Sequence, residues 1–273
     1  MFKDITLGQY FPGNSVIHSL DPRTKLMLMI AYIVIVFLVR SMWMFIPVAV
    51  FLAMTIVLAR VPLGYVVRTL KPMRWLLILM FILNLFLIKT GEPILEVWII
   101  KITTGGLRQS IFIIIRLVLL VTGTSLLTLT TTPISLTDGL EKLLMPLTKL
   151  KFPAHELAMM MTIALRFIPT LIEEADRIMK AQMARGADME TGSIIRRAKN
   201  MIPILIPLFV SSFRRADELA MAMESRCYHG GEGRTKMRVL KMRWRDAAAA
   251  IITAALALSL IHISEPTRRV VIS

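Results

Sequence analysis

The sequence predicts an all-α membrane protein with about five transmembrane helices and a set of long cytoplasmic coupling helices. Composition comes first. Of 273 residues, 56% are hydrophobic and 19% are charged, and the mean hydropathy is +0.67. A soluble domain is about 45–50% apolar and about 25% charged, so this excess is more than one core absorbs. Second, near-continuous apolar runs recur at lengths close to the roughly 20 residues that cross a bilayer. Third, the net charge is +15, from 33 Lys+Arg against 18 Asp+Glu. Such a balance suits nucleic acid, an anionic membrane surface or an acidic partner protein, and the hydropathy decides against nucleic acid. Cys227 stands alone, which excludes an internal disulfide framework and a CxxC metal site. Disorder and a collagen-like fibre fall with the same composition.

Residues 1–19 are polar and turn-rich, and no cleavage pattern follows an early apolar core, so no signal peptide is expected. The first apolar run, Leu26 to Val39, is flanked by Arg23 and Lys25 before it and Arg40 after it. The second, Met42 to Ala59, is interrupted only by Pro47 and Thr55, so the two read as a tight helical hairpin. Trp75 to Ile88 makes a third run with Asn84 as its single polar residue, and Leu107 to Leu129 a fourth that contains Arg116. Residues 1–130 thus form an N-terminal region of four spans. A last, alanine-rich run from Ala247 to Ile263 gives a final transmembrane helix over 246–263.

The loops set the orientation. Arg60, Arg68, Lys71 and Arg74 lie between the second and third runs with no acid among them, whereas Lys89 to Arg108 mixes Glu92 and Glu96 with its bases. The positive-inside rule places the 60–74 loop, and therefore the N-terminus, in the cytoplasm. Five spans then put the C-terminus outside, and residues 131–245 fall in the cytoplasm.

That cytoplasmic segment is helical rather than a loop, because its apolar residues recur at helical spacing. It does not read as spanning, because Lys142, Lys149, Lys151, Arg166, Glu173, Glu174, Arg177 and Lys180 punctuate it. Pro133 and Pro153 mark helix starts. One helix runs from Pro153 through Met159-Met160-Met161 to about Arg185, and a second from about Ser193 through Ile204-Leu205-Ile206 to Arg226. Each is apolar first and charged late, which suits an apolar half resting on a membrane domain and a polar end aimed at water or a partner. Both end alike, with Ala184-Arg185-Gly186 and Ser225-Arg226-Cys227. An arginine there complements the negative end of the helix dipole, and Gly186 takes the left-handed conformation that stops a helix. Spacing alone leaves two readings open, a partner contact or plain helix-end charge.

Longer motifs carry a resemblance. Leu20-Asp21-Pro22-Arg23-Thr24-Lys25, Leu129-Thr130-Thr131-Thr132-Pro133, Leu165-Arg166-Phe167-Ile168-Pro169-Thr170, Ala181-Gln182-Met183-Ala184-Arg185-Gly186 and Gly230-Gly231-Glu232-Gly233-Arg234-Thr235 occur in this order. With them the chain, from Gly8 to about Arg245, resembles the T component of energy-coupling factor transporters, the bacterial vitamin and trace-metal importers. The resemblance implies a non-catalytic subunit of the cell membrane, which couples two cytosolic ATP-binding-cassette ATPases to a separate substrate-binding membrane subunit. It implies that the two Ala-Arg-Gly-like ends, carrying Arg185 and Arg226, dock into grooves of the ATPases. It also implies that Met159, Met160, Met161 and Leu205 contact the substrate-binding subunit, and that ATP is bound by the partners, with no cofactor or metal of the chain's own. The chain looks closest to the shared type serving several vitamin-binding subunits; the dedicated cobalt or nickel type is the alternative. Ser225-Arg226-Cys227 departs from the family's second Ala-Arg-Gly, and cysteine lacks the easy positive φ of glycine. On that ground the second helix is expected to continue toward Gly230.

Other signals carry less. Residues 259–273 do not look like the family's hydrophobic ending and resemble a translated sequencing adapter, so they are read as a non-native tail. Gly230 to Lys236 lacks the order and context of a phosphate-binding loop and reads as a flexible basic loop near lipid headgroups. Glu173-Glu174 with Arg177 falls one residue short of an EExxxR peptidase motif, and His18, His155, His229 and His262 are scattered, which disfavours an intramembrane hydrolase and a metal site. No EAA-type loop marks a conventional permease. Arg116 reads either as an intramembrane functional charge or as an interfacial one on a tilted helix.

Overall fold

The computed structural model describes residues 10–97, 100–150, 152–187, 193–230 and 240–264. The described residues form two compact units, one drawn from residues 10–139 with 240–264 and one from residues 140–230. The fold is all-α in class, with a single two-stranded hairpin among the described residues.

In the first unit, α1 (Pro22–Leu38) starts on an Asp21 cap whose Oδ1 accepts the Arg23 N–H at 3.0 Å, with proline at the first helical position. Tyr32, Ile35 and Val36 face the core, while Met27, Ile30, Val34 and Phe37 form an exposed apolar stripe on another face. The same division marks α2 (Phe45–Ala59). Phe45, Val48, Leu52, Ile56 and Ala59 are buried, and Ile46, Val50, Met54 and Val57 are exposed. A helix that is apolar all round but covered on one side only is built for lipid on the other. Arg60 ends α2 in the left-handed conformation, φ 54°, its N–H donating to the Val57 carbonyl at 3.0 Å.

Short α3 (Leu63–Leu70) passes through a tight turn at Lys71–Met73 into α4 (Arg74–Leu87), which packs on α5. Where a plain loop is expected between Lys89 and Arg108, β1 (Pro93–Val97) pairs antiparallel with β2 (Ile100–Thr103), Val97 opposite Ile100 and Glu96 opposite Lys101. Thr103 then caps α5 (Thr104–Thr130), accepting the Gly106 N–H at 3.2 Å. Buried hydroxyls on α5 return to their own helix: Ser110 donates to Gly106 O at 2.7 Å, and Thr130 to Leu126 O at 2.7 Å. With no water at bilayer depth, such bonds are what makes serine and threonine tolerable. Gly123 has the same kind of local reason, since a Cβ there would strike the Tyr32 ring, whose hydroxyl donates to the Leu119 carbonyl at 2.9 Å.

Arg116 reaches from α5 to the end of α1, an arrangement common to both of its readings, since intramembrane and interfacial charges alike pair with free backbone carbonyls. The side chain is half-buried, and its Nη2 donates to the Val39 carbonyl at 2.6 Å. The guanidinium lies 4.7 Å from the Phe112 ring centre and 5.9 Å from that of Phe37. It therefore caps the open C-terminal end of α1 from the neighbouring helix.

α6 (Pro133–Leu144) follows α5, and α9 (Trp244–Ser264) completes the first unit, with Leu260 in its core. At the start of α9, Asp246 is buried. Its Oδ1 accepts the Asp21 N–H at 2.8 Å and its Oδ2 accepts the Arg243 N–H at 2.8 Å. One carboxylate thus joins the beginnings of α9 and α1, which are 225 residues apart. Close by, the buried Lys25 ammonium donates to the Thr130 carbonyl (2.9 Å), Thr131 Oγ1 (3.2 Å) and the His18 carbonyl (3.3 Å).

The other unit contains α7 (Ala154–Ala184) and α8 (Ile194–Glu224), each of 31 residues, which pack on one another. At 1.5 Å per residue each is about 46 Å long. Pro169 interrupts the hydrogen-bond ladder of α7, and Pro203 and Pro207 do so one turn apart in α8.

Among the described residues five helical stretches are long and apolar enough to cross a membrane: Met42–Ala59, Leu63–Leu87, Thr104–Thr130, Ala154–Ala184 and Trp244–His262. Four match the runs read from sequence. The fifth is α7, which satisfies length and composition through its apolar first half, whereas α1 has 17 residues and a rise of about 26 Å, at the short end of the spanning range.

Candidate functional site

The two arginine-bearing helix ends are built by the same backbone arrangement. In α7 the Gly186 N–H donates to the Met183 carbonyl at 2.9 Å, and the Ala187 N–H to the Gln182 carbonyl at 3.0 Å. In α8 the Cys227 N–H donates to the Glu224 carbonyl at 2.8 Å, and the Tyr228 N–H to the Met223 carbonyl at 3.0 Å. Both are the paired bonds that close a helix on a left-handed residue. Gly186 takes that conformation at φ 88°, and Cys227 takes it at φ 55°.

This corrects the expectation that α8 would run on to Gly230. With the helix stopped at Glu224, the left-handed turn at 227 brings the Cys227 and Tyr228 N–H groups onto the Glu224 and Met223 carbonyls, which offsets the roughly 1–2 kcal/mol that a Cβ costs there. Arg185 and Arg226 consequently hold the equivalent place, immediately before the left-handed residue.

All six residues of the two ends, Ala184, Arg185, Gly186, Ser225, Arg226 and Cys227, are exposed. Ser225 Oγ donates back to the Ala222 carbonyl at 3.1 Å, and a Cβ on Gly186 would meet nothing within 4 Å. Glycine is thus required at 186 by its φ alone. Each end presents a guanidinium beside a helix C-terminus, in open space, with a fork of donors that matches a carboxylate.

Of the four residues assigned to the second partner, Met159 is half-buried, whereas Met160, Met161 and Leu205 are exposed. Leu205 proves to be one member of a longer stripe on α8, with Ile202, Ile206, Phe209, Val210 and Phe213 also exposed. Spacing at three and four residues announces that stripe in the sequence.

His155 Nδ1 lies 3.1 Å from Glu141 Oε1. Among the described residues no three His, Cys, Asp or Glu side chains converge as metal ligands would. The glycine-rich stretch from residue 231 to 236 lies outside the described residues, as does the tail from 265.

The sequence matches the model of the CbiQ cobalt transport protein family over residues 13–237. It is 55% identical over 255 residues to the energy-coupling factor transporter transmembrane protein EcfT of Thermosediminibacter oceani, covering 93% of this chain and 96% of the relative. The EcfT protein of Clostridium kluyveri is 55% identical over 252 residues, with 92% and 93% covered. That of Bacillus subtilis is 48% identical over 259 residues, with 95% and 97% covered. With its apolar helices, this similarity along nearly the whole length makes the chain a multi-pass membrane protein of transport. It belongs to the family of transmembrane T components of energy-coupling factor transporters.

Proposed function

We propose that the chain is the non-catalytic scaffold of an ATP-driven importer of the bacterial cell membrane. In this reading it joins two cytosolic ATP-binding-cassette ATPases, which bind the ATP, to a substrate-binding membrane subunit that takes up a vitamin. The observation that carries the reading is the pair of matching helix ends. Two exposed arginines in equivalent caps offer two similar surfaces to two similar partners. The apolar stripe of α8, with Met160 and Met161 of α7, supports a contact with the membrane subunit. Flexible thioethers there suit a surface that exchanges partners. The acid-free loop from Arg60 to Arg74 supports a cytoplasmic N-terminus and, with five spans as read from the sequence, a cytoplasmic side for residues 131–245. A second reading, the dedicated cobalt or nickel type, draws on the cobalt transport description of the matched family.

Charge reversal tests the docking. A desolvated arginine–carboxylate pair contributes a few kcal/mol, and lysine lacks the planar fork. Arg185→Glu should abolish ATPase-dependent uptake while membrane insertion stays normal, Arg185→Lys should weaken it, and Arg226→Glu should follow Arg185→Glu. The double variant should lose both ATPases in pull-downs from membranes yet retain the substrate-binding subunit. If both single variants transport at parental rates and keep both ATPases, the arginines are ordinary helix-end charges. Uptake of labelled vitamins against labelled cobalt separates the two cargo readings.

A further inference from the structure

A cavity of about 250 Å³ lies between α1, α2, α5 and α9 of one unit. Its walls are hydrocarbon, supplied by Met29, Leu52, Leu58, Leu127 and Ile252 among others. Tyr32 also lines it, but its hydroxyl is engaged by the Leu119 carbonyl and offers no donor to the space. Met54, Leu58 and Ile252 line the cavity while remaining exposed on the outer surface of α2 and α9, so it adjoins the faces left for lipid.

The polar atoms gather at one end, where α1 and α9 begin and α2 and α5 finish. Lys25 is committed there to Thr130 and its neighbours. Arg245 lines the mouth and donates from Nη1 to Ser19 Oγ at 3.3 Å, and its guanidinium carries further donors. Lys241 and Arg243 are exposed beside it, and Trp244 is 77% exposed. The nearby acids, Asp21 and Asp246, are buried and hold backbone N–H groups. The exposed charge around the start of α9 is therefore basic.

We propose that this cavity binds one acyl chain of a phospholipid whose anionic headgroup rests on Arg245. The apolar walls, and their continuity with the exposed apolar residues Met54, Leu58 and Ile252 of α2 and α9, argue for a hydrocarbon chain. Charge argues for an anionic lipid, because a guanidinium beside further cations favours a phosphate diester with no compensating ammonium group. Trp244 marks the headgroup level, where amphipathic rings collect.

The test uses the full chain in phosphatidylcholine vesicles doped with phosphatidylglycerol or phosphatidylcholine bearing a diazirine in one acyl chain. After irradiation, adducts are expected on the cavity segments of α1, α2, α5 and α9, at least threefold more from phosphatidylglycerol. Ala248→Trp fills the cavity and should cut these adducts at least threefold, while labelling of the exposed α4 residues Trp75 and Leu79 stays unchanged. Arg245→Gln, a surface change, should retain the adducts but abolish the preference for phosphatidylglycerol. Four outcomes would overturn the proposal. They are equal labelling of α4 and the cavity, no preference between the lipids, adducts indifferent to Ala248→Trp, or crosslinks from these segments to a protein partner instead.

Discussion

Asp246 offers the sharpest test of how the first unit is held together. Its carboxylate accepts two backbone N–H groups at 2.8 Å, one from buried Asp21 and one from exposed Arg243 at the start of its own helix, and it attracts the Lys25 ammonium. Asp246→Ala removes both acceptors. The Asp21 N–H then has no partner in a dry site, at a cost of about 1.5–3 kcal/mol for a charge-assisted bond. The Arg243 N–H can turn to water, so losing that half of the cap costs about 0.5–1 kcal/mol. The expected loss is therefore about 2–4 kcal/mol. Asp246→Asn keeps one acceptor oxygen but turns its NH₂ toward a second donor, so it should cost about half as much. The assay is unfolding of the purified chain in mild detergent titrated with SDS, with amide exchange at Asp21 as a local probe. Exchange there should rise by roughly 30-fold or more in the alanine variant. If both variants unfold within about 0.5 kcal/mol of the parent, the carboxylate is not the tie that its geometry indicates.

Three further outcomes follow from other contacts. Cys227→Gly relieves a left-handed residue and should slow exchange of the Tyr228 amide by roughly two- to fivefold, whereas faster exchange would mean that the cap is not closed at 227. Arg116→Met should lower stability by about 1–3 kcal/mol while uptake per folded molecule persists; loss of uptake at unchanged stability would mark the charge as functional. In a Cys227→Ser background, Glu92→Cys should react with an impermeant thiol reagent from outside and Ala187→Cys should not, and the reverse pattern would invert the proposed topology.

What the sequence disclosed was governed by distance along the chain. The spans α1 and α2 were legible as near-continuous apolar runs, though such runs do not tell the buried face from the lipid face, and the ends of α7 and α8 were legible because each cap is a local pattern. Cys227 was misjudged from its intrinsic preference, since the paired cap bonds that offset the cost of its conformation show only in the folded helix end. The Asp21–Asp246 tie was invisible for another reason. Each residue looks like a local helix start, and nothing in either segment signals a partner 225 positions away. Arg116 shows in the sequence only as a charge inside an apolar run, and nothing local announces the Val39 carbonyl it pairs with. The hairpin after α4 was read as loop because its strands are only five and four residues long, too short for alternation to register.

The interior prolines make α7 and α8 levers of calculable gain. Pro169 lies 16 residues before Arg185, and Pro207 lies 19 before Arg226. At 1.5 Å per residue these arms are about 24 Å and 28 Å, so a bend of about 10° at either proline swings its arginine through about 4–5 Å. That is close to the pitch of one helical turn, enough to exchange one set of hydrogen-bond acceptors for the next. About ten degrees at a missing backbone bond would thus become a full change of partner at the tip, and the rigid, tightly closed caps would pass the displacement on without absorbing it.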